Sequence, residues 1–440
     1  MSAPTKKSPM ARVLSLRDFR LLFAGATTSL LGDQFALIAT PWLVLQMTGD
    51  PLVLGIVLAL EGIPRAAFML VGGAVTDRIS PRLVMLISDV VRLGLTALMA
   101  FTVFTGTVEV WMLYAFGLGF GLVAGFAVPA ENSIVPMLVE SQDLQAGNSI
   151  MMGITQLAGF VGPTAAGIVI GSFSSSMLGI GLAFAIDALS FAVSAVCLWR
   201  IRTGKQKSAT GDAAAKESVW ESILAGIQYL WNDKVLRLMF LVLTAVNFLL
   251  IGPLLVGIPV LADQRLPEGA AAYGLLMSAF AGGNLVGFLI AGSLPRPSGK
   301  VMRIITVLLI ASFGAVIGLL GFIPSTGVDF CLLLLLGLGN GYIAILLFTW
   351  MQTRTPKEML GRMMGLLMFS NTGLAPVSQA ISGVVCKWNL SLMFASAGVM
   401  VLAVALWMAF QPGLKAFSES MVAMPTTEPV AVRPVSETAG

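Results

Sequence analysis

The sequence has no histidine, only three cysteines and few charges, since Asp, Glu, Lys and Arg make up 11% of its 440 residues. Because the chain has no histidine, it has no imidazole group that could ligate a metal or shuttle a proton. Soluble domains are about 25% charged, so a chain this poor in charge cannot cover its surface with polar groups. The hydrophobic content of 57% and the mean hydropathy of +0.91 therefore indicate that much of the surface faces lipid.

Further absences narrow the function. A nucleotide-binding loop of the Gly-x4-Gly-Lys-Ser/Thr type is missing, which argues against ATP as the driving force. Cys/His metal spacings and a nucleophile–base pair are missing as well, so we expect no enzyme activity, no metal and no cofactor. The net charge of +4 is modest, and we expect no nucleic-acid partner.

Twelve apolar segments of membrane-spanning length recur along the chain, separated by short polar breaks. They are predicted at 20–46, 52–75, 83–105, 110–131, 148–171, 178–200, 235–261, 269–294, 303–323, 329–352, 362–385 and 392–411. The predicted fold class is an all-α membrane protein with twelve transmembrane helices in two six-helix bundles.

The longest break, at 201–234, divides the spans six and six and predicts bundles at 20–200 and 235–411. Residues 1–19 are predicted to be a cytoplasmic lead, and the tail 412–440 is predicted to be disordered. Within the linker, an amphipathic helix is predicted between 217 and 233, lying along the membrane surface. Its apolar residues are Trp220, Ile223, Leu224, Ile227 and Leu230.

The placement of Lys and Arg predicts that both termini are cytoplasmic. Of the 26 basic residues, only Arg265 and Lys387 fall on the outer side, while Arg65 and Arg92 lie within spans.

Charged side chains deep inside the predicted spans occur only in the first half of the chain. They are Asp33, Glu61, Arg65, Asp89, Arg92 and Asp187. A charge in hydrocarbon costs about 2.5–3.5 kcal/mol, so such residues line cavities or pair with one another. Glu61 with Arg65, and Asp89 with Arg92, have the spacing of same-helix ion pairs. Asp33 has no partner in its own helix, and for this residue proton coupling and a structural bond between helices stay equally open.

The second half offers neutral polar groups in its spans instead of charges. They are Asn247, Asn284, Asn340, Asn371 and Gln379. The asymmetry predicts that protons are handled in the first half, while the second half contributes apolar and amide contacts to a substrate.

A Gly-x3-Asp-Arg-x3-Arg pattern lies in the predicted loop between the second and third spans. Its residues are Gly73, Asp77, Arg78 and Arg82. The pattern resembles the cytoplasmic loop signature of the major facilitator superfamily, from which it departs at Ser80 and Pro81. This resemblance implies a latch on the cytoplasmic side, formed with the segment that leads into the eleventh span. The latch residues implied there are Gln352, Pro356, Gly361 and Arg362.

A second pattern, in the fifth span, is similar to the antiporter signature of the same superfamily. It consists of Gly159, Gly162, Pro163 and Gly167. Proline bends a helix and frees a carbonyl group, while glycines let a partner helix approach closely. We expect these residues to act in helix packing.

Shorter phrases along nearly the whole chain resemble the drug and siderophore exporters that include macrolide-efflux and enterobactin-export proteins. They centre on Leu31 to Gln34, Ile63 to Arg65, Ser88 to Arg92, Pro129 with Pro136, Ile186 to Ala188, and Gln352 to Arg362. The resemblance implies a bacterial inner-membrane exporter of an amphipathic drug, antibiotic or siderophore, working by proton antiport and alternating access. Its implied partners are the small molecule, protons and the lipid bilayer, and the expected state is a monomer.

Two alternatives stay open. One keeps the fold but makes the protein a nutrient importer or a lysophospholipid flippase. The other is a membrane sensor or assembly factor that transports nothing and would tolerate loss of the buried carboxylates.

Overall fold

The computed structural model describes residues 8–173, 175–202, 219–294 and 298–422. Within these ranges the chain forms helices and no strands, and eleven helical segments are long and apolar enough to cross a membrane. A twelfth segment, at 357–388, is divided into two shorter helices by a π turn at Phe369–Gly373. The twelve predicted spans are confirmed.

The first bundle contains six helices. They are α1 (Arg17–Thr48), α2 (Pro51–Arg78), α3 (Pro81–Thr105), α4 (Val110–Leu138), α5 (Leu144–Gly171) and α6 (Ser176–Arg200). The turn between α1 and α2 is short because each of its two residues ends or begins a helix. Gly49 adopts the left-handed conformation, with φ 61°, that ends α1. Asp50 then caps α2 by accepting a hydrogen bond from the Leu52 N–H at 2.9 Å.

The second bundle contains the other six, two of them with internal π turns. They are α7 (Lys234–Gly252, the π turn Pro253–Gly257, then Ile258–Arg265), α8 (Ala270–Ser293), α9 (Gly299–Leu320), α10 (Thr326–Arg354), α11 (Lys357–Met368, the π turn Phe369–Gly373, then Ala375–Trp388) and α12 (Leu390–Ala409). Asp233 caps α7 by accepting from two backbone N–H groups, those of Val235 and Leu236. π turns disturb the regular hydrogen-bond ladder and mark places where a helix bends.

Three short helices lie at one end of the molecule, which we call the linker face. They are the N-terminal helix Pro9–Ser15, the linker helix Val219–Asn232 and the C-terminal helix Pro412–Val422. We call the opposite end, which carries the turn at Gly49 and Asp50, the far face.

Glycines bring the second and fourth helices of each bundle into backbone contact. A Cβ on Gly121 of α4 would lie 2.7 Å from the carbonyl carbon of Glu61 in α2. In the second bundle, a Cβ on Gly341 of α10 would lie 2.9 Å from the carbonyl carbon of Asn284 in α8. The same close approach in the same pair of helices is what two repeated halves produce.

We expect Gly121→Leu to destabilise the first bundle strongly, by more than the about 1–3 kcal/mol that ordinary overpacking costs, because the added atoms meet backbone that cannot turn away. The matched control is Gly94→Leu on α3, since a Cβ at Gly94 meets nothing within 4 Å. Thermal unfolding of the purified protein measures both variants. Equal melting temperatures for the two would show that the contact at Gly121 contributes nothing.

The motif that begins at Gly73 extends from the last turns of α2 into the first turn of α3. Helix α2 continues to Arg78, and α3 begins at Pro81 after only two residues. Proline is well suited to the first turn of a helix, because its missing N–H would be unpaired there anyway. The connection between the two spans is therefore much shorter than predicted.

The prediction of disorder from residue 412 onward is wrong for the part that the structure describes. Pro412–Val422 is a helix. Its buried side chains are Leu414, Phe417 and Met421. The indole N–H of Trp350 in α10 donates to the Ser420 hydroxyl at 2.8 Å, and the Trp350 ring packs edge-on against Phe417. Residues 423–440 lie outside the described part.

The linker helix occupies Val219–Asn232 in the described part of the chain, within the range 217–233 predicted for it. It packs on the first half of α11, where a Cβ on Gly226 would lie 3.1 Å from the Cβ of Arg362. Leu230 is buried, whereas Leu224 and Ile227 are exposed. The predicted apolar side is therefore divided between a packed part and an open part. The side chains of Trp220 and Ile223 lie outside the described part.

Candidate functional site

The two bundles meet through glycines in the half of the molecule nearest the far face. In α2 and α11, a Cβ on Gly55 would lie 3.1 Å from the Cα of Gly383. In α5 and α8, a Cβ on Gly274 would lie 2.9 Å from the Cα of Gly167. Each contact joins one helix of the first bundle to one of the second, and the two contacts correspond under exchange of the bundles.

Polar contacts between the bundles close the far face as well. Lys387 of α11 lies 2.6 Å from the Asp50 carboxylate that caps α2. Gln46 of α1 donates to Asp263 of α7 at 2.9 Å. These contacts link the same two bundles at the chain turns, outside the glycine crossings.

Near the linker face, five glycines of these same four helices have open space beside them. A Cβ would meet nothing within 4 Å at Gly73 of α2, at Gly361 or Gly365 of α11, at Gly153 of α5 or at Gly292 of α8. The bundles therefore touch at the far face and diverge toward the linker face. The space between them opens there.

We expect Lys387→Gln to open the far face more often, because it removes the ion pair with Asp50. A partly exposed pair is worth about 0.2–1 kcal/mol, which corresponds to a shift in population of about 1.4-fold to fivefold. Cys386 is buried beside this pair and reports the opening through its rate of labelling by a maleimide. Cys197 and Cys331 are first replaced by alanine.

The matched control is Lys415→Gln, which breaks an exposed pair with Glu419 away from the bundle interface. The exchanged pair, Asp50→Lys with Lys387→Asp, should restore slow labelling. Fast labelling in the exchanged pair would mean that the substitution merely uncovers Cys386 locally.

Acidification should break the far-face pair only at low pH. The hydrogen bond from Lys387 lowers the pKa of Asp50 below its ordinary 3.8. A lowered pKa gives a contribution that is complete above the ordinary value and is lost as the pH falls through the lowered one. Labelling of Cys386 at the far face should therefore not respond to protonation of Asp50 between pH 5 and pH 8.

The first bundle encloses a cluster of charged side chains around one arginine, which we call the acidic cluster. Its carboxylates are Asp33, Glu61, Asp89, Glu131 and Asp187, and its bases are Arg65 and Arg92. Arg92 of α3 is 6% exposed and interacts electrostatically with four of these carboxylates. The guanidinium of Arg92 thus interacts with carboxylates on four helices, α1, α3, α4 and α6.

Arg92 reaches out of its own helix. Its Nη1 lies 3.6 Å from the Oε1 atom of Glu131 on α4. The guanidinium also lies 5.6 Å from the ring centre of Phe191 and 5.9 Å from that of Phe120. Aromatic rings stabilise a buried cation through their electron-rich faces. These rings give Arg92 a place to extend away from Asp89.

Asp187 and Asp33 lie on neighbouring helices that are in close contact. A Cβ on Gly32 would lie 2.8 Å from the Oδ1 atom of Asp187, so the glycine before Asp33 lets α6 approach α1 at this level. Asp187 is wholly buried, and its Oδ2 atom has no hydrogen-bond partner. Asp33 is partly exposed. The two carboxylates therefore occupy a sealed and an accessible position.

The two predicted same-helix ion pairs are not formed. Among the described residues, neither Glu61 with Arg65 nor Asp89 with Arg92 is within 4.0 Å, and Arg92 pairs with Glu131 instead. Same-helix pairs contribute only about 0.2–0.5 kcal/mol, so a contact with another helix displaces them readily.

The structure describes only part of the predicted cytoplasmic latch. Arg82 donates to the carbonyl groups of Leu198 and Trp199, at 2.7 and 2.6 Å, and so caps the end of α6 in its own bundle. Arg78 and Gln352 are exposed, and Pro356 precedes the first turn of α11. The side chain of Asp77 lies outside the described part.

The pattern in the fifth span packs against two different helices. Gly162 lies against the side chain of Gln34 in α1, and Gly167 against Gly274 in α8. The N–H of Thr164, directly after Pro163, donates to the Ser278 hydroxyl of α8 at 2.9 Å. Gly159 has only Ala281 of α8 near it, at 4.0 Å. Three of the four motif positions thus adjoin the interface between the bundles.

Polar side chains of the second bundle pair with one another near the π turn of α11. Asn247 donates to Asn371 at 2.7 Å, and the hydroxyls of Thr244 and Ser370 are 2.8 Å apart. A charge elsewhere in the second bundle was not predicted from the sequence. Asp329, in the first turn of α10, is wholly buried, and neither of its oxygens has a hydrogen-bond partner. Among the described side chains, no group of three or more His, Cys, Asp or Glu residues is arranged to hold a metal ion.

The family model of the Major Facilitator Superfamily matches residues 22–378. Two bundles of six membrane-spanning helices, with a polar site between them, are the architecture of this class of transporter. The chain therefore belongs to the Major Facilitator Superfamily, and it is a multi-pass membrane transporter of small molecules rather than an enzyme.

Relatives in sequence include two proteins named as exporters. The multidrug efflux pump Tap of Mycolicibacterium fortuitum is 25% identical over 388 residues, which is 86% of this chain and 89% of that protein. The enterobactin exporter EntS of Shigella boydii serotype 4 is 25% identical over 380 residues, which is 83% of this chain and 84% of that protein.

Solved structures with the same fold are more distant in sequence. The nucleoside transporter NupG has a TM-score of 0.63 at 14% identity, covering 93% of this chain and all of that one. A bacterial homolog of the human lysosomal transporter Spinster also has a TM-score of 0.63 at 14% identity, covering 95% of this chain and 98% of that one. These likenesses establish the fold.

Proposed function

We propose that this protein exports an amphipathic small organic compound from a bacterial cell in exchange for protons. It is a monomer in the inner membrane, with both termini in the cytoplasm, so that the linker face is the cytoplasmic face. The observation that carries the proposal is the acidic cluster, which lies in one bundle only and borders a space that is open at the linker face. The relatives named as a multidrug efflux pump and an enterobactin exporter support the outward direction.

Proton coupling is assigned to Asp33. Like charges at short range oppose each other's ionisation, and Asp33 interacts electrostatically with Asp187. Asp33 is the partly exposed member, so it can exchange a proton with water in the cavity. A proton on Asp33 reduces the negative charge around Arg92, and the guanidinium then relies more on Asp89, Asp187 and Glu131. In this state, which is open at the linker face, Asp33 would release its proton to the cytoplasm, and in the opposite state it would take up a proton from the outer side.

The latch implied by the sequence belongs to the other state of the cycle. Gly73, Gly361 and Gly365 have open space in this structure. Closure of the linker face would bring the end of α2 to the start of α11, where unpaired N–H groups favour an anion by about 0.3–1 kcal/mol, or up to about 2 kcal/mol where partly buried. We assign Asp77 to that contact.

Transport into everted membrane vesicles tests the proposal. Respiring vesicles that contain the protein should accumulate members of a panel of dyes and antibiotics, and nigericin, which collapses the pH gradient, should abolish the accumulation. A nutrient importer would instead accumulate its substrate in right-side-out vesicles. A sensor or assembly factor would accumulate nothing in either preparation.

A further inference from the structure

The acidic cluster has more acidic than basic groups, and three of its four accessible members are acidic. Five carboxylates lie with two guanidinium groups, those of Arg65 and Arg92. Asp89 and Asp187 are buried, whereas Asp33 and Glu61 are partly exposed and the Glu131 side chain is 44% exposed. Of the two bases, Arg65 is partly exposed and the Arg92 side chain is only 8% exposed. The surface that this cluster presents to the cavity is therefore negative.

Glu131 is the most open of these carboxylates. It lies on the same helix as the glycines that pack against α2, and it faces Arg92 inside the bundle at 3.6 Å. A carboxylate turned toward lipid would carry the cost of a charge in hydrocarbon, so such a residue faces the protein interior or a water-filled space. The ion pair between Arg92 and Glu131 is long, and the Glu131 side chain is exposed. Its carboxylate can therefore accept a second positive group.

Some buried polar atoms inside the acidic cluster have no hydrogen-bond partner. This observation is independent of the exposure of Glu131. Among the described residues, two acceptors, Oδ2 of Asp89 and Oδ2 of Asp187, and one donor, Nε of Arg92, have no such partner. One guanidinium cannot satisfy all of the carboxylates around it, because each carboxylate offers several acceptor positions. The cluster therefore has room for additional positive charge, supplied by protons or by a bound cation.

The middle turns of the second bundle's described helices carry no Lys or Arg. The bundle's amides and hydroxyls near the π turn pair with one another, as Asn247 does with Asn371. Its described Lys and Arg side chains lie within the first two or last two turns of their helices, as Arg237, Arg303 and Arg354 do. An anionic compound would thus meet negative charge on one side and no compensating base on the other.

We infer that the transported compound is an amphipathic organic cation, held with its positive charge against Glu131 and its apolar body toward the second bundle. This inference rests on the proposed export function. A charged contact across a cavity of low dielectric is stronger than one in water. Glu131 is thereby a specificity residue, and the anionic siderophore class is disfavoured as the cargo.

Binding of two probes of matched shape and opposite charge tests the inference. Purified protein in nanodiscs is equilibrated with tetraphenylphosphonium or tetraphenylborate, and binding to empty nanodiscs is subtracted. We expect the cation to bind about tenfold or more tightly than the anion, which is the ratio that about 1.4 kcal/mol of charge preference produces. Equal binding, or tighter binding of the anion, would overturn the inference.

Variants assign the preference to Glu131. Glu131→Gln should weaken binding of the cation by about tenfold, whereas Glu140→Gln, an exposed position at the linker face, should leave it unchanged. If Glu131→Gln does not fold, Glu131→Asp serves, since it should keep the preference for the cation with a lower affinity. Unchanged affinity in a folded Glu131→Gln protein would remove Glu131 from the site.

Failure of this inference is distinguishable from failure of the export proposal. Selective binding of the cation without accumulation in everted vesicles would leave the site intact and refute export. Accumulation of anionic compounds alone would leave export intact and refute the cation site.

Discussion

Asp33→Asn should abolish concentrative transport while the protein remains folded and inserted. Asparagine keeps the shape of the side chain but cannot carry a proton between the cavity and the cluster. Downhill exchange of substrate should continue, because exchange requires the alternation of states and not a net proton transfer. The expected result is loss of accumulation in energised vesicles with exchange near the wild-type rate.

The matched control for Asp33 is Asp329→Asn. Asp329 is a wholly buried carboxylate of the second bundle that lies outside the acidic cluster. We expect this variant to retain concentrative transport. If Asp33→Asn still concentrates substrate at the normal rate, or if both variants fail alike, Asp33 does not couple transport to protons.

Arg92→Gln should destabilise the first bundle more than replacement of any other charged residue in it. The change leaves Asp33, Asp89, Glu131 and Asp187 around a site without positive charge. Removing one partner of a buried ionic group typically costs about 3–5 kcal/mol, because the remaining charges stay desolvated. The midpoint of thermal unfolding and the yield of monodisperse protein measure the loss.

Two comparison variants make this prediction specific. Arg65→Gln should cost less, because no carboxylate lies within 4.0 Å of Arg65 among the described residues. The double variant Arg92→Gln with Asp187→Asn should recover part of the stability, since it also removes a buried negative charge. An unchanged melting temperature in Arg92→Gln would refute the central place of this arginine.

The number of spans and the division into bundles could be predicted from hydrophobic run length, because each run has to cross the same thickness of lipid. The buried charges of the first half were predictable for a related reason, since their cost in hydrocarbon makes them conspicuous. The eleventh span was also recognised, although its π turn divides it into two helices, because the run of apolar residues continues across the turn.

The partners of the charges could not be predicted from spacing. Glu131 was missed because the fourth span was ended at this residue, whereas α4 runs through Pro129 and Pro136 to Leu138. Arg92 pairs with Glu131 rather than with Asp89 because the rings of Phe120 and Phe191 lie beside its guanidinium. These two rings come together only in the folded bundle. The apolar spacing of Leu414, Phe417 and Met421, three and four residues apart, could have indicated the C-terminal helix.

No local sequence pattern predicts which face of the molecule is closed. The same four helices carry glycines at both ends, and these are packed at Gly55 and Gly167 but open at Gly73 and Gly153. An alternating-access transporter needs both arrangements from one sequence. The structure shows one of these two arrangements, the one in which the far face is closed.

The most direct test of proton-coupled export is a measurement of proton movement caused by the substrate. Proteoliposomes containing a trapped pH indicator receive a compound that everted vesicles accumulate, without any imposed gradient. The account predicts a proton flux opposite to substrate movement in the wild-type protein and none in Asp33→Asn. Substrate movement without proton flux in the wild-type protein, or an equal flux in Asp33→Asn, would contradict it.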